Sequence, residues 1–112
     1  MSRHLGVPLT SGTVPGVPKE WDMVSPAGDL IGDAKYFTLV QGQRLPPAKF
    51  SVIAEHVWLL TRTEAPVTFL VFGNDRRVPE LWLQRYGHLA SDVDFYFLAD
   101  DGTLKLLPRP DP

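Results

Sequence analysis

The stretch Glu20-Trp21-Asp22-Met23-Val24, Ser25-Pro26-Ala27-Gly28-Asp29, Leu30-Ile31-Gly32-Asp33-Ala34-Lys35-Tyr36 decides how this chain is read. Two short apolar runs flank a Pro/Gly turn, which predicts a β-hairpin over about residues 20–37. Side chains alternate between the faces of a strand. Glu20 and Asp22 therefore share one face of the first strand, and Asp33 and Lys35 share one face of the second. Where those faces coincide, carboxylates and an ammonium group converge on one point, a grouping that holds Mg²⁺ and activates water.

Upstream, Pro8, Pro15 and Pro18 alternate with Gly6, Gly12 and Gly16. That composition is incompatible with a helix and predicts a short strand at Val7–Thr10 and a loop from Ser11 to Pro18. Downstream, Thr38 to Pro46 is polar and carries Gln41, Gln43 and Arg44. Pro47 suits the first turn of a helix. Phe50, Ile53, Ala54, Val57 and Trp58 then follow the spacing of one buried helical face, predicting a helix over about 47–62. Val67 to Phe72 is a near-continuous apolar run ending at Gly73-Asn74-Asp75, the pattern of a strand buried on both faces. A second helix is expected from Pro79 to Tyr86 or Ala90, with Leu81, Trp82 and Leu89 inward. Asp94–Leu98 and Thr103–Leu107, joined around Asp101-Gly102, read as a closing hairpin. The expected order is three strands, helix, strand, helix and two strands. This is a single mixed α/β domain over residues 1–112, one sheet flanked by helices.

The chain has 112 residues, 44% of them hydrophobic and 21% charged, which is the composition of an ordinary globular domain. It has no cysteine, so disulfides and thiolate metal sites are excluded. No apolar run is long enough to span a bilayer and the N-terminus lacks the apolar core of a signal peptide, so a cytoplasmic location and no membrane partner are expected. A net charge of −2 argues against a strongly basic coat but permits local nucleic-acid contacts.

Asp22, then Asp33-Ala34-Lys35 after a glycine-containing turn, then a helix and a buried strand, resembles the PD-(D/E)XK nuclease superfamily. With the Ser11-Gly12-Thr13 loop ahead of Asp22, the closest likeness is to archaeal Holliday-junction resolvase-like small nucleases. The resemblance covers about residues 5–75 and leaves residues 76–107 unmatched. It implies a restriction-endonuclease-like fold and Mg²⁺-dependent hydrolysis of DNA, structured or branched, with Mn²⁺ as a substitute metal. Carried over by position, Asp22 and Asp33 bind the metal, Ala34 lends its carbonyl and Lys35 orients the attacking water. Ser11, Gln41 and Gln43 are accessory candidates, and Arg44, Arg76 and Arg77 are candidate nucleic-acid contacts. The family's first helix, which brings a glutamate to the site, has no counterpart ahead of the first strand: either it is lost, a partner supplies it, or Glu20 substitutes from beside Asp22. Trp21 occupies the place of the motif's proline.

The chemistry fits these residue types. Cleaving a phosphodiester adds negative charge to a phosphate that already repels hydroxide, and a divalent cation on oxygen ligands offsets it. A lysine two residues from a ligand lies on the same strand face and reaches the same phosphate or water. Alanine at position 33 or 35 is therefore expected to abolish cleavage and leave the fold largely intact.

An Asp-x-Lys triplet alone is equally a surface salt bridge, and Arg76-Arg77 is equally a charged loop. His4, His56 and His88 lack ligand spacing and read as surface or core residues. Trp58, Trp82, Phe95, Tyr96 and Phe97 read as core, although alternation also allows Tyr96 on a homodimer face. The alternative function is a catalytically inactive nuclease-fold protein that binds nucleic acid or protein.

Overall fold

The computed structural model describes residues 6, 8–37 and 47–108. Gln41, Gln43 and Arg44 lie outside them. The elements are β1 (Thr10–Val14), β2 (Val17–Val24), β3 (Leu30–Phe37), α1 (Pro47–Arg62), β4 (Val67–Asn74), α2 (Arg77–Tyr86) with a 3₁₀ turn at Gly87–Leu89, β5 (Val93–Leu98) and β6 (Leu104–Leu106). Among the described residues the expected element order holds. The strands form one six-stranded sheet in sequential order, with β1, β2 and β3 antiparallel, β4 parallel to β3, β5 parallel to β4, and β6 antiparallel to β5.

The N-terminal expectation is corrected. Residues 11–14 are strand, and only Pro15 and Gly16 form the connection, with Val14 paired to Val17. Gly16 has φ +83°, so a proline-glycine pair supplies a tight turn where the proline count suggested a long loop. Ser11 is thus an exposed β1 residue and not part of a loop.

Both helices lie on one face of the sheet. The crossovers β3–α1–β4 and β4–α2–β5 advance in the same direction, and with a common hand they deliver both helices to the same side. Ile53, Val57 and Leu60 of α1 and Val78, Trp82 and Leu83 of α2 share one core with Ile31, Leu70, Phe72 and Phe95 of the sheet. Trp82 stacks on Phe95 and Phe95 on Phe72, with ring centroids 5.3 and 5.4 Å apart. On the opposite face a smaller cluster of Phe69, Val71 and Tyr96 packs with Leu9, Met23 and Leu104. Tyr96 is therefore buried against Phe69 and does not present a dimer face. As expected, β4 is buried on both faces from Thr68 to Phe72.

The inward stripe of α1 is Ile53, Val57 and Leu60, and Trp58 is 56% exposed. The helix is rotated from the expected face, so Trp58 lines a groove of about 420 Å³ with Phe50, Tyr86 and Leu89. Leu89, expected inward, ends in the exposed 3₁₀ turn.

Candidate active site

The connection between β2 and β3 is held by its own side chains. Ser25 Oγ donates to Asp29 Oδ1 at 2.7 Å and accepts the Leu30 N–H at 3.0 Å. Gly28 turns the chain at φ +74°. The antiparallel pairing of Val24 with Ile31 and Met23 with Gly32 follows, and there the regular ladder ends.

Beyond it, β2 is bulged. Against β1, Thr10 pairs with Val24 and Gly12 with Trp21, so one β1 residue faces Asp22 and Met23 together. A bulge re-aims the side chains of the strand that carries it. Trp21 and Val24 both reach the helix-side core, which strict alternation forbids for residues three apart. The bulge frees the backbone at Asp22 from the ladder, and the carboxylates take over. Asp22 N–H donates to Asp33 Oδ1 at 3.0 Å, and Ala34 N–H donates to Asp22 Oδ2 at 2.9 Å. The expected convergence of Asp22 and Asp33 is thus present, through an exchange of side chain-to-backbone bonds instead of two matching strand faces.

Asp33 is 2% exposed, on the helix side of β3. Its Oδ2 receives Lys35 Nζ at 2.7 Å and Lys19 Nζ at 3.3 Å, and His56 Nδ1 stands 3.5 Å away. Burial opposes charge on Asp33, but hydrogen bonds from Asp22 and Lys35 outweigh it and hold the carboxyl down at about 2. Partial burial and the facing Asp33 push Asp22 above its ordinary value. On acidification Asp22 takes the pair's first proton and Asp33 keeps its charge, the usual behaviour of two carboxyls that share a site.

Sequence reasoning missed Lys19 and His56. Lys19 sits over the Trp21 ring, 4.9 Å from its centroid, which steers its ammonium to Asp33. Its neighbour Glu20, the expected accessory carboxylate, is exposed. His56 comes from α1 and meets Trp21 edge-on, ring centroids 6.3 Å apart. A signal for it was present: 53, 56, 57 and 60 fit helical spacing, which places His56 beside the buried stripe. Burial, then Lys35 and Lys19, push its imidazole down to about 4, against the weaker opposing pull of Asp33 and Glu55.

Of the expected nucleic-acid arginines, Arg76 and Arg77 are engaged with carboxylates of their own segment. Arg76 Nε lies 3.1 Å from Glu80 Oε2, and Arg77 Nη2 lies 3.0 Å from Asp75 Oδ2.

Among the described residues, no three His, Asp or Glu side chains form a ready-made metal cluster. Two converging carboxylates nevertheless suit a hard cation such as Mg²⁺, which keeps several of its waters. The gathering of two ammonium groups on one buried oxygen shows how strongly this point draws positive charge. Comparison of the chain with protein-family models, with curated proteins and with solved structures returns no match.

Proposed function

We propose that this protein is a divalent metal-dependent nuclease of the PD-(D/E)XK type, hydrolysing phosphodiester bonds in DNA. The observation that carries the reading is the reciprocal bonding of Asp22 and Asp33, with Lys35 on the same Asp33 carboxylate. A bound Mg²⁺ would neutralise phosphate charge and lower the pKa of a water. Asp22 and Asp33 would hold it, and Lys35 would turn to the phosphate or the water. The order of three antiparallel strands, a crossover helix and a parallel strand supports a restriction-endonuclease-like arrangement.

The test is incubation of the full chain with linear duplex, flapped and four-way-junction DNA, with Mg²⁺ and with chelator. Metal-dependent cleavage of any of these that disappears in Asp33→Asn supports the reading. Cleavage of none, with Mg²⁺ or Mn²⁺, overturns it. One observation favours the alternative of an inactive binding module: Lys19 and Lys35 already compensate the charge of Asp33. DNA binding without cleavage would identify that case.

A further inference from the structure

His56 Nδ1 is buried and has no hydrogen-bond partner among the described residues. A buried polar atom left unpaired costs stability and needs a reason. The group facing it is Asp33 Oδ2 at 3.5 Å, beyond the length of a good hydrogen bond, and Lys35 and Lys19 already occupy that oxygen. The ring is also held in place, edge-on to the fully buried Trp21 and rising from a helix whose next residue, Val57, is core. A fixed, unpaired ring nitrogen therefore points at the carboxylate around which the proposed chemistry is organised.

We propose that His56 Nδ1 accepts a hydrogen bond from the water that attacks the phosphodiester, fixing that water against the phosphorus. This assignment rests on the nuclease reading above. The water oxygen forms the new bond to phosphorus and the bond to the leaving sugar oxygen breaks. The proton lost by the water passes to solvent, and the leaving oxygen takes one from solvent.

The role predicts a pattern that packing alone does not. Asparagine carries Oδ1 at the place of Nδ1 and keeps the acceptor; glutamine moves it to the place of Nε2; leucine removes it. With whichever DNA the wild type cuts, His56→Leu is expected to lower kcat about 100-fold, the scale of losing a positioned reactant. KM and Mg²⁺ affinity, the latter measured by calorimetry with the metal alone, stay unchanged. His56→Asn recovers most of the rate and His56→Gln does not, while thermal midpoints of all three remain at or above the wild type. Equal kcat in wild type and His56→Leu overturns this assignment and leaves the nuclease reading standing. A fall in Mg²⁺ affinity parallel to kcat also overturns it, since His56 would then be a metal ligand. A wild type that cuts no DNA overturns the nuclease reading, and this assignment falls with it.

Discussion

The backbone N–H of Asp22 donates to Oδ1 of Asp33 at 3.0 Å, a bond between a main chain and a side chain at the point where the β2–β3 ladder stops. The return bond, Ala34 N–H to Asp22 Oδ2, completes the exchange. The two acids therefore do structural work before any ligand arrives. They satisfy backbone donors that the bulge would otherwise leave open, and this fixes both carboxylates relative to the strands.

That dual role changes what substitution at Asp33 does. Alanine leaves the Asp22 N–H without its acceptor and Lys35, 8% exposed, without its carboxylate. Removing one partner of a buried ion pair costs about 3–5 kcal/mol. Asp33→Ala is therefore expected to lose stability as well as activity, contrary to the sequence-based expectation of an intact fold. Asp33→Asn keeps an acceptor for the Asp22 N–H and is expected to unfold at a urea midpoint between those of Asp33→Ala and the wild type. Equal midpoints for Asp33→Ala and the wild type would refute the structural role.

Asp22 is exposed, and its bond to Ala34 lies at the surface. Asp22→Ala is expected to cost about 1 kcal/mol, the ordinary worth of one hydrogen bond, while cleavage is lost as completely as in Asp33→Asn. Urea unfolding beside a cleavage assay checks both. A stability loss equal to that of Asp33→Ala would show that the two acids are structurally equivalent.

The pH dependence follows from two groups with depressed values. His56 lies at about 4 in the folded chain against about 6.5 when unfolded. Between those values the unfolded chain binds a proton that the folded chain does not, so stability is full above about 6.5 and falls as pH drops toward 4. Asp33, at about 2, contributes stability that is present above its unfolded value and lost as pH falls toward 2. Unfolding in chelator-containing buffer should therefore weaken first between pH 6.5 and 4, before the Asp33 contribution is lost. His56→Leu should flatten that first region. A wild-type profile level from pH 7 to 5 would contradict the buried, neutral imidazole.

The parts of the fold written in apolar periodicity were legible: the Asp22–Asp33 hairpin, the α1 span, the doubly buried β4 and the closing hairpin all follow from local pattern. The β1–β2 turn was misread because Pro15-Gly16 was counted as loop composition, when the pair specifies a tight turn. The bulge at Asp22-Met23 leaves no mark in the alternation, since it arises from pairing with β1. Its consequence, that Lys19 and not Glu20 reaches Asp33, was hidden for the same reason. His56 was read as a surface or core residue beside the buried stripe, because the stripe was started at Phe50. Starting it at Ile53 brings His56 in and leaves Trp58 out, as the packing does.

Gly32 precedes Asp33 and is also its anchor. A Cβ at this position would stand 2.2 Å from the ring of Phe69, which lies across it from β4. Phe69 is fully buried, and Gly32 is its register partner. At that distance something must shift, and Gly32→Ala is expected to force β3 away from β4 next to the site. Overpacking of this kind costs about 1–3 kcal/mol. Combining it with Phe69→Leu removes the clash, and the double variant is expected to be more stable than the sum of the single losses. Strict additivity in the cycle would show that the two positions do not meet.

Metal binding has a readout that does not depend on finding the substrate. If Asp22 and Asp33 together hold a divalent cation, Mg²⁺ stabilises the folded chain by mass action, and the thermal midpoint climbs with its concentration. Displacing Lys19 and Lys35 from Asp33 opposes this, because the ion must replace two existing partners. Lys19→Met is then expected to strengthen Mg²⁺ binding and steepen the midpoint's rise, since it removes a competitor without touching a proposed ligand. Asp22→Asn is expected to weaken binding and flatten that rise. Sodium at matched ionic strength separates site binding from screening. If Mg²⁺ shifts wild type, Lys19→Met and Asp22→Asn alike, the cation is not held at these carboxylates.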